Sequence, residues 1–357
     1  MKKLLLCILM IALILSCTAC GQFVLHYGDD AAEEKPSIIE QIFRKEPKQT
    51  TFTAPLTGEE QTADTSSQRP YAVMINNISV AQPQVGISKA DWIYEIPAEG
   101  GITRMMGLFS RIEDVPSVGS IRSLRPYYLS IALSYDAIVI HGGGSEDAYS
   151  DLETLHADHI DGVRDSRAAA AIFYREMSRA SAGTEHTLFF NGDKVPALVS
   201  EYGFRTTHNS DYQSSLHFSE TAADQGTTTA VQICVTFNNS KTTSFTYHAD
   251  TGCYTAFQYG GDYADGQSGE VVPFANVLVL QTQMRAYDDY GRLEADVVGS
   301  GSGWYFTGGK CIPIHWSRSD TYAPFVYTTE SGEPLSFAVG KTYAAVIPTD
   351  TGSVDFS

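Results

Sequence analysis

The sequence predicts an α+β protein, an N-terminal α/β layered domain followed by a smaller, mostly β C-terminal domain. Three observations predict it. Between residues 54 and 218, apolar runs of strand length alternate with segments of helical spacing, the pattern of a sheet layered with helices. Beyond residue 218 the helical spacing disappears, and short β runs follow one another with Asn, Asp and Gly turns between them. The composition suits both halves: of 357 residues 43% are hydrophobic and 18% charged, a globular balance, and 20 tyrosines with 30 glycines favour strands and turns.

The chain opens with Lys2 and Lys3, an apolar run over residues 4–15, and then Ser16-Cys17-Thr18-Ala19-Cys20-Gly21. That run is too short for a comfortable permanent membrane span, so residues 1–20 read as a secretory lipoprotein signal peptide. Thr18-Ala19-Cys20-Gly21 resembles a lipobox, in which small residues precede the cysteine that receives diacylglycerol. Cys17 stands where Leu is usual, and Cys17 itself is a second candidate with the bulkier Leu15 before Ser16; Cys20 is the favoured lipidation site. Acyl chains contribute about 0.8 kcal/mol per buried methylene, so two or more hold a domain at a membrane surface. Residues 21–53 read as a flexible tether, polar apart from Ile38-Ile39 and Ile42-Phe43.

The N-terminal domain spans 54–218. Strands are expected over 71–75, closed by Asn76-Asn77, and over 92–96, 101–109 and 136–140; helices are expected over 125–133, 146–155 and 167–179. The C-terminal domain spans 230–350, with strands at 231–237, 243–248, 254–258, 277–280, 294–298, 304–307, 311–316 and 343–347. The polar segment 219–229, containing Gly226, marks the junction. The GSGSG at 299–303 lacks a strand-to-helix context and a following Lys, so it reads as a β-turn and not a phosphate loop. Past the signal only Cys234, Cys253 and Cys311 remain, which is no disulfide framework; a Cys234–Cys253 bridge between neighbouring strands stays open.

A formal net charge of -18, more acidic still without Lys2 and Lys3, repels nucleic acid and anionic headgroups at long range, so no nucleic-acid partner is expected.

The strings PLTG (55–58), RPYAVMINN (69–77), ADWIYEIPAEGGITRMMGLF (90–109), VGSIRSLRPYY (118–128), YDAIVIHGGGS (135–145) and GRLEADVVGSGSGWYF (291–306) resemble the YerB-like lipoproteins, a bacterial family of unknown function. The resemblance covers residues 54 to about 348. It implies a lipoprotein with an N-terminal family domain and a smaller β-rich one, and it implies no reaction. The chain departs from the family at Glu185-His186-Thr187, where Pro-His-Asn is more usual, and at Tyr343, where a tryptophan is more usual.

Within the first domain, polar residues interrupt apolar segments: Glu95, Glu99 and Arg104, then Arg122 and Arg125, then His141-Gly142-Gly143-Gly144-Ser145 between a strand and a helix, and later His186. A glycine loop ahead of a helix lets backbone N–H groups approach an anion, and arginines add bidentate contacts to phosphate or carboxylate. These residues form the candidate anion-binding set. The competing structural reading pairs Glu95 with Arg104, places Arg122 and Arg125 on one solvated face, and makes His186 a turn residue. Catalytic signatures are missing: His-Gly-Gly-Gly lacks a companion G-x-S-x-G, and no HExxH occurs. His156 and His159 with Asp158 and Asp161 read as a polar turn, so neither metal nor cofactor is expected.

Two functions follow as expectations. One is a membrane-anchored extracytoplasmic binding or scaffold module at the cell envelope, taking an anionic ligand in the first domain and a protein partner on the β domain. The other is an envelope enzyme acting on a phosphate-linked lipid or glycopolymer, with His141 or an acid moving protons.

Overall fold

The structure, a computed structural model, describes residues 50–357. The expected signal peptide, the Cys20 lipidation site and almost all of the expected tether lie outside the described residues. The end of the expected tether is in a strand pair, Phe52–Thr53 with Glu60–Gln61.

Along the chain come β1 (Tyr71–Asn77), β2 (Trp92–Pro97), β3 (Thr103–Phe109), α1 (Pro126–Ser134), β4 (Ile138–His141), α2 (Glu146–Thr154), β5 (His159–Asp161), α3 (Ser166–Ala171) and α4 (Val195–Tyr202). The later part supplies β6 (Thr228–Thr229), β7 (Gln232–Asn238), β8 (Lys241–His248), β9 (Cys253–Gln258), β10 (Asn276–Thr282), β11 (Gly299–Thr307), β12 (Lys310–Arg318), β13 (Thr342–Pro348) and β14 (Ser353–Phe356).

One eleven-stranded sheet runs β6-β12-β11-β10-β13-β2-β3-β1-β4-β5, with Val326–Thr329 also on β12. Strands from both halves of the sequence share it, joined where β13 lies parallel to β2. The expected junction at 219–229 leads the chain from one half to the other, and both halves contribute to this sheet. His217–Phe218, just before that junction, pairs with Ser336–Phe337, and β6, at its end, pairs with β12. The C-terminal boundary also moves outward, since β14 pairs with β7 beyond residue 350. β1, β2 and β3 are buried at every position, which is why they read as nearly continuous apolar runs and not as alternating ones.

The two sheet faces bury different cores. Ile93, Met105 and Val279 share a core with the second sheet, where β7, β8 and β9 alternate buried and accessible positions as a one-sided sheet must, and Val73 and Ile75 belong to the same cluster as Leu198 and Val199 of α4. Ala72, Met74, Tyr94, Met106 and Leu278 pack against α1, α2 and the aromatic loops around Phe325 and Phe337. Pro126 opens α1 with its φ already set, and Ser145 caps α2 by accepting from the Ala148 N–H at 3.2 Å.

Two local expectations fail for identifiable reasons. The helix expected over 167–179 stops at Ala171, because Phe173–Arg175 is claimed by strand pairing with Leu188–Phe190. The glycines of 299–303 lie within β11 and not in a turn. A Cβ on Gly303 would sit 2.3 Å from Val279 O, and one on Gly301 would sit 2.5 Å from Trp316 Nε1, so close packing inside the sheet demands them. Cys234 and Cys253 are both free, with β8 between their strands.

Candidate functional site

The carboxyl ends of the parallel strands β4 and β5 open into a cavity of about 450 Å³. Crevices at strand carboxyl ends are where open α/β sheets bind ligands. The walls are Arg122, Ser123, the glycine loop 142–144, Tyr149, Val163, Arg164, Arg175, Thr184 and Glu185, with Ile121 and Leu188 at the apolar side.

Three guanidinium groups face this space, and they differ in what already holds them. Arg164 bonds Glu146 at 2.6 Å and lies 3.6 Å over the Tyr149 ring. Arg175 donates to Thr184 O at 2.8 Å and to Thr187 Oγ1 at 3.3 Å. Arg122 reaches only Glu185 O, at 3.5 Å, and its Nε is buried without a partner. Among the described residues neither Arg122 nor Arg175 has a carboxylate oxygen within 4.0 Å. Burial, and then the like charge of Arg104, push Arg122 below its ordinary range, an electrostatic cost that a bound anion would offset.

The glycine loop is tied down from beneath. Gly142 N–H donates to Arg122 O at 3.0 Å and Gly143 N–H to Asp161 Oδ1 at 2.9 Å, so these two amides are committed to the protein and not to a ligand. Asp161 also accepts from Val163 N–H at 2.8 Å and from Tyr149 OH at 2.6 Å. Burial raises the Asp161 carboxyl, but His141, Tyr149 and the two amides outweigh it and hold it below the usual carboxylate range. A single buried carboxylate thus positions the loop, the wall at Val163 and the ring on which Arg164 rests.

The remaining candidate residues fall elsewhere. Arg104 and Arg125 share Glu99: Arg104 meets its Oε1 at 2.6 Å, and Arg125 Nε donates to Oε2 at 3.1 Å with a second, shorter contact to Oε1. Both arginines are buried and also donate to the carbonyls of Ser123 and Leu124, so they fasten this segment and do not face the cavity. Glu99 is held at about 2, because the two arginines overcome the upward effect of its burial. Arg122 and Arg125, expected on one solvated face, are not on a helix together; α1 starts only after Arg125.

Glu95 is on the opposite face of the sheet and pairs with Lys241 at 3.0 Å, not with Arg104. It also accepts from Asn77, Thr103, Thr243 and Tyr343. His141 is fully buried under the loop, with Nδ1 at 2.8 Å from Gly143 O and Nε2 at 3.0 Å from His159 Nδ1. Burial pushes it down to about 4, and it has no edge on the cavity for proton transfer. Ser145 serves as the α2 cap. His186 bonds Asn76 at 2.8 Å behind the cavity wall.

The sequence reading missed Arg164, Arg175 and Tyr149, and it assigned Asp161 to a polar turn where the structure has a strand end. Arg175 was hidden inside the overlong helix. Asp161 ends β5 and Arg164 follows it, and this three-residue strand is too short to register as a pattern. Among the described residues no cluster of three or more His, Cys, Asp or Glu side chains is arranged to hold a metal ion.

Residues 56–205 match the N-terminal domain, and residues 233–344 the C-terminal domain, of the family described as "Protein of unknown function (DUF3048)". A curated relative, named "Putative lipoprotein YerB" from Bacillus subtilis (strain 168), is 27% identical over 305 residues, covering 83% of this chain and 86% of the relative. The crystal structure of the YerB protein from Bacillus subtilis superposes with a TM-score of 0.73 at 28% identity, covering 85% of this chain and 99% of that one. The chain therefore belongs to the DUF3048 family, the YerB-like lipoproteins that its sequence motifs resemble.

Proposed function

We propose that this protein is a lipid-anchored binding module on the extracytoplasmic side of the cell membrane, and that the Arg122–Arg164–Arg175 cavity takes an anionic ligand of the envelope. The observation that carries the reading is the convergence of three arginines on one cavity, two of them without a carboxylate partner among the described residues, in a chain of net charge -18. Arginines retained in that state are matched to a bidentate anion such as phosphate. The anchor is Cys20; incorporation of a palmitate analogue should be lost in Cys20→Ala cells, and its persistence there would refute the assignment.

Thermal melting of the detergent-solubilised full chain tests the cavity. Pyrophosphate at a hundredfold excess over Kd should stabilise the parent by roughly 2.7 kcal/mol. Arg122→Ala should abolish that shift and leave the unliganded protein within about 1 kcal/mol of the parent, since no ion pair is lost. A shift that survives in Arg122→Ala would remove the anion site from this cavity.

A further inference from the structure

The cavity has one lining group that a site for a bare anion would not want. Glu185 places a carboxylate among the three arginines, with its side chain about half exposed. Its own backbone, then His186, and more weakly Arg122, favour its charged form, so it is ionised at neutral pH. A carboxylate only accepts hydrogen bonds, so toward an approaching phosphate it is repulsive, and toward a hydroxyl it is a strong acceptor. Ser123 adds a second acceptor: its hydroxyl donates to Gly142 O at 3.3 Å and keeps its lone pairs for the cavity. Ile121, Val163 and Leu188 supply an apolar wall. The volume of about 450 Å³ is in the range of sites for whole organic molecules and is far more than one phosphate group fills.

We infer that the ligand is a phosphate ester of a polyol or sugar. Its phosphate meets Arg122 and Arg175, its hydroxyl groups donate to Glu185 and Ser123, and its C–H face lies on Leu188 and Ile121. The inference rests on the anion-site reading above and narrows it to a molecule carrying both charge and hydroxyl donors. A sugar phosphate and a glycerol phosphate share that chemistry, and the experiment separates them.

Isothermal titration of the detergent-solubilised full chain at pH 7 would use inorganic phosphate, glucose 1-phosphate and glycerol 3-phosphate as probes. The parent should bind at least one ester about tenfold or more tighter than inorganic phosphate, and the tighter ester names the sugar or the glycerol source. Glu185→Gln should move the two kinds of probe in opposite directions: tighter inorganic phosphate, because a repulsive charge is gone, and a weaker ester, because the strong acceptor is gone. Ser123→Ala should weaken only the ester. The exposed Glu185 side chain makes an unfolded variant an unlooked-for result, and Ser123→Ala keeps the test decisive if it occurs. Equal affinity for phosphate and both esters, or an ester preference unchanged in both variants, would overturn this inference and leave the anion site standing. No binding of any of the three probes would overturn the anion site as well.

Discussion

Glu99 offers a direct test of how the arginines divide between structure and ligand. Its carboxylate is the one acidic group among the described residues that Arg104 and Arg125 share, and the three side chains are 13%, 3% and 8% exposed. Glu99→Gln keeps the size and removes the charge, leaving two buried guanidinium groups side by side. Breaking one side of a buried pair costs roughly 3–5 kcal/mol. Here Arg104 keeps Ser123 O and Arg125 keeps Leu124 O, which lowers the loss. A carboxyl held at about 2 instead of 4.5 contributes on the order of 3 kcal/mol at neutral pH before solvent screening. Screening at the partly open Glu99 reduces that, so a loss of about 2 kcal/mol is expected at pH 7.

The sign with pH is fixed by the direction of the shift. A carboxyl depressed in the folded state stabilises fully above its unfolded value and loses that contribution as pH falls through its folded value. The difference between parent and Glu99→Gln should hold steady above about pH 5 and shrink from 4.5 toward 2, with roughly half gone near pH 3. Urea denaturation at pH 7, 5, 4 and 3 measures it, and taking the difference cancels the other carboxylates. A loss below about 0.5 kcal/mol at pH 7, or a difference that does not change between pH 5 and 3, would refute the triad as a source of stability.

Two further outcomes follow from the fold. Lys241→Met leaves Glu95 buried without its cation, although Asn77, Thr103, Thr243 and Tyr343 still donate to it; about 3 kcal/mol should be lost in urea, and a loss under 1 kcal/mol would show that the hydroxyl and amide donors suffice. Limited proteolysis should leave the segment from Thr50 onward as one protected fragment, because one sheet holds both family domains; two stable fragments divided within 219–229 would contradict the shared sheet.

How far the sequence reveals this structure depends on the length scale of each feature. Long, strongly patterned strands such as β1, β2 and β13 are legible because both faces are covered and the apolar run is continuous. Register across the chain is not. Nothing local in 342–348 says that β13 will lie beside β2, some 250 positions earlier, so the sequence reads as two bodies where the sheet is one. The same limit governs the site. The motif Gly142-Gly143-Gly144 and Arg122 are visible as residue types, and they do line the cavity. Arg125, three residues from Arg122 and chemically identical, does not, because pairing with Glu99 is a property of the folded chain.

That division also reconciles the proposed anion site with a net charge of -18. At physiological ionic strength the screening length is about 8 Å, so most surface acids act weakly on a charge inside the cavity, while Arg122 and Arg175 act at contact. What matters is the local balance. Glu99 offsets one of the two positive charges of Arg104 and Arg125 within the protein, and Glu146 pairs with Arg164. Arg122 and Arg175 are the cavity arginines without a carboxylate in contact among the described residues, and Glu185 also lines the cavity. For the proposed site the acidic background would act as a filter: it would disfavour large polyanions that extend over the surrounding surface and spare a small ligand whose charge is confined to one end.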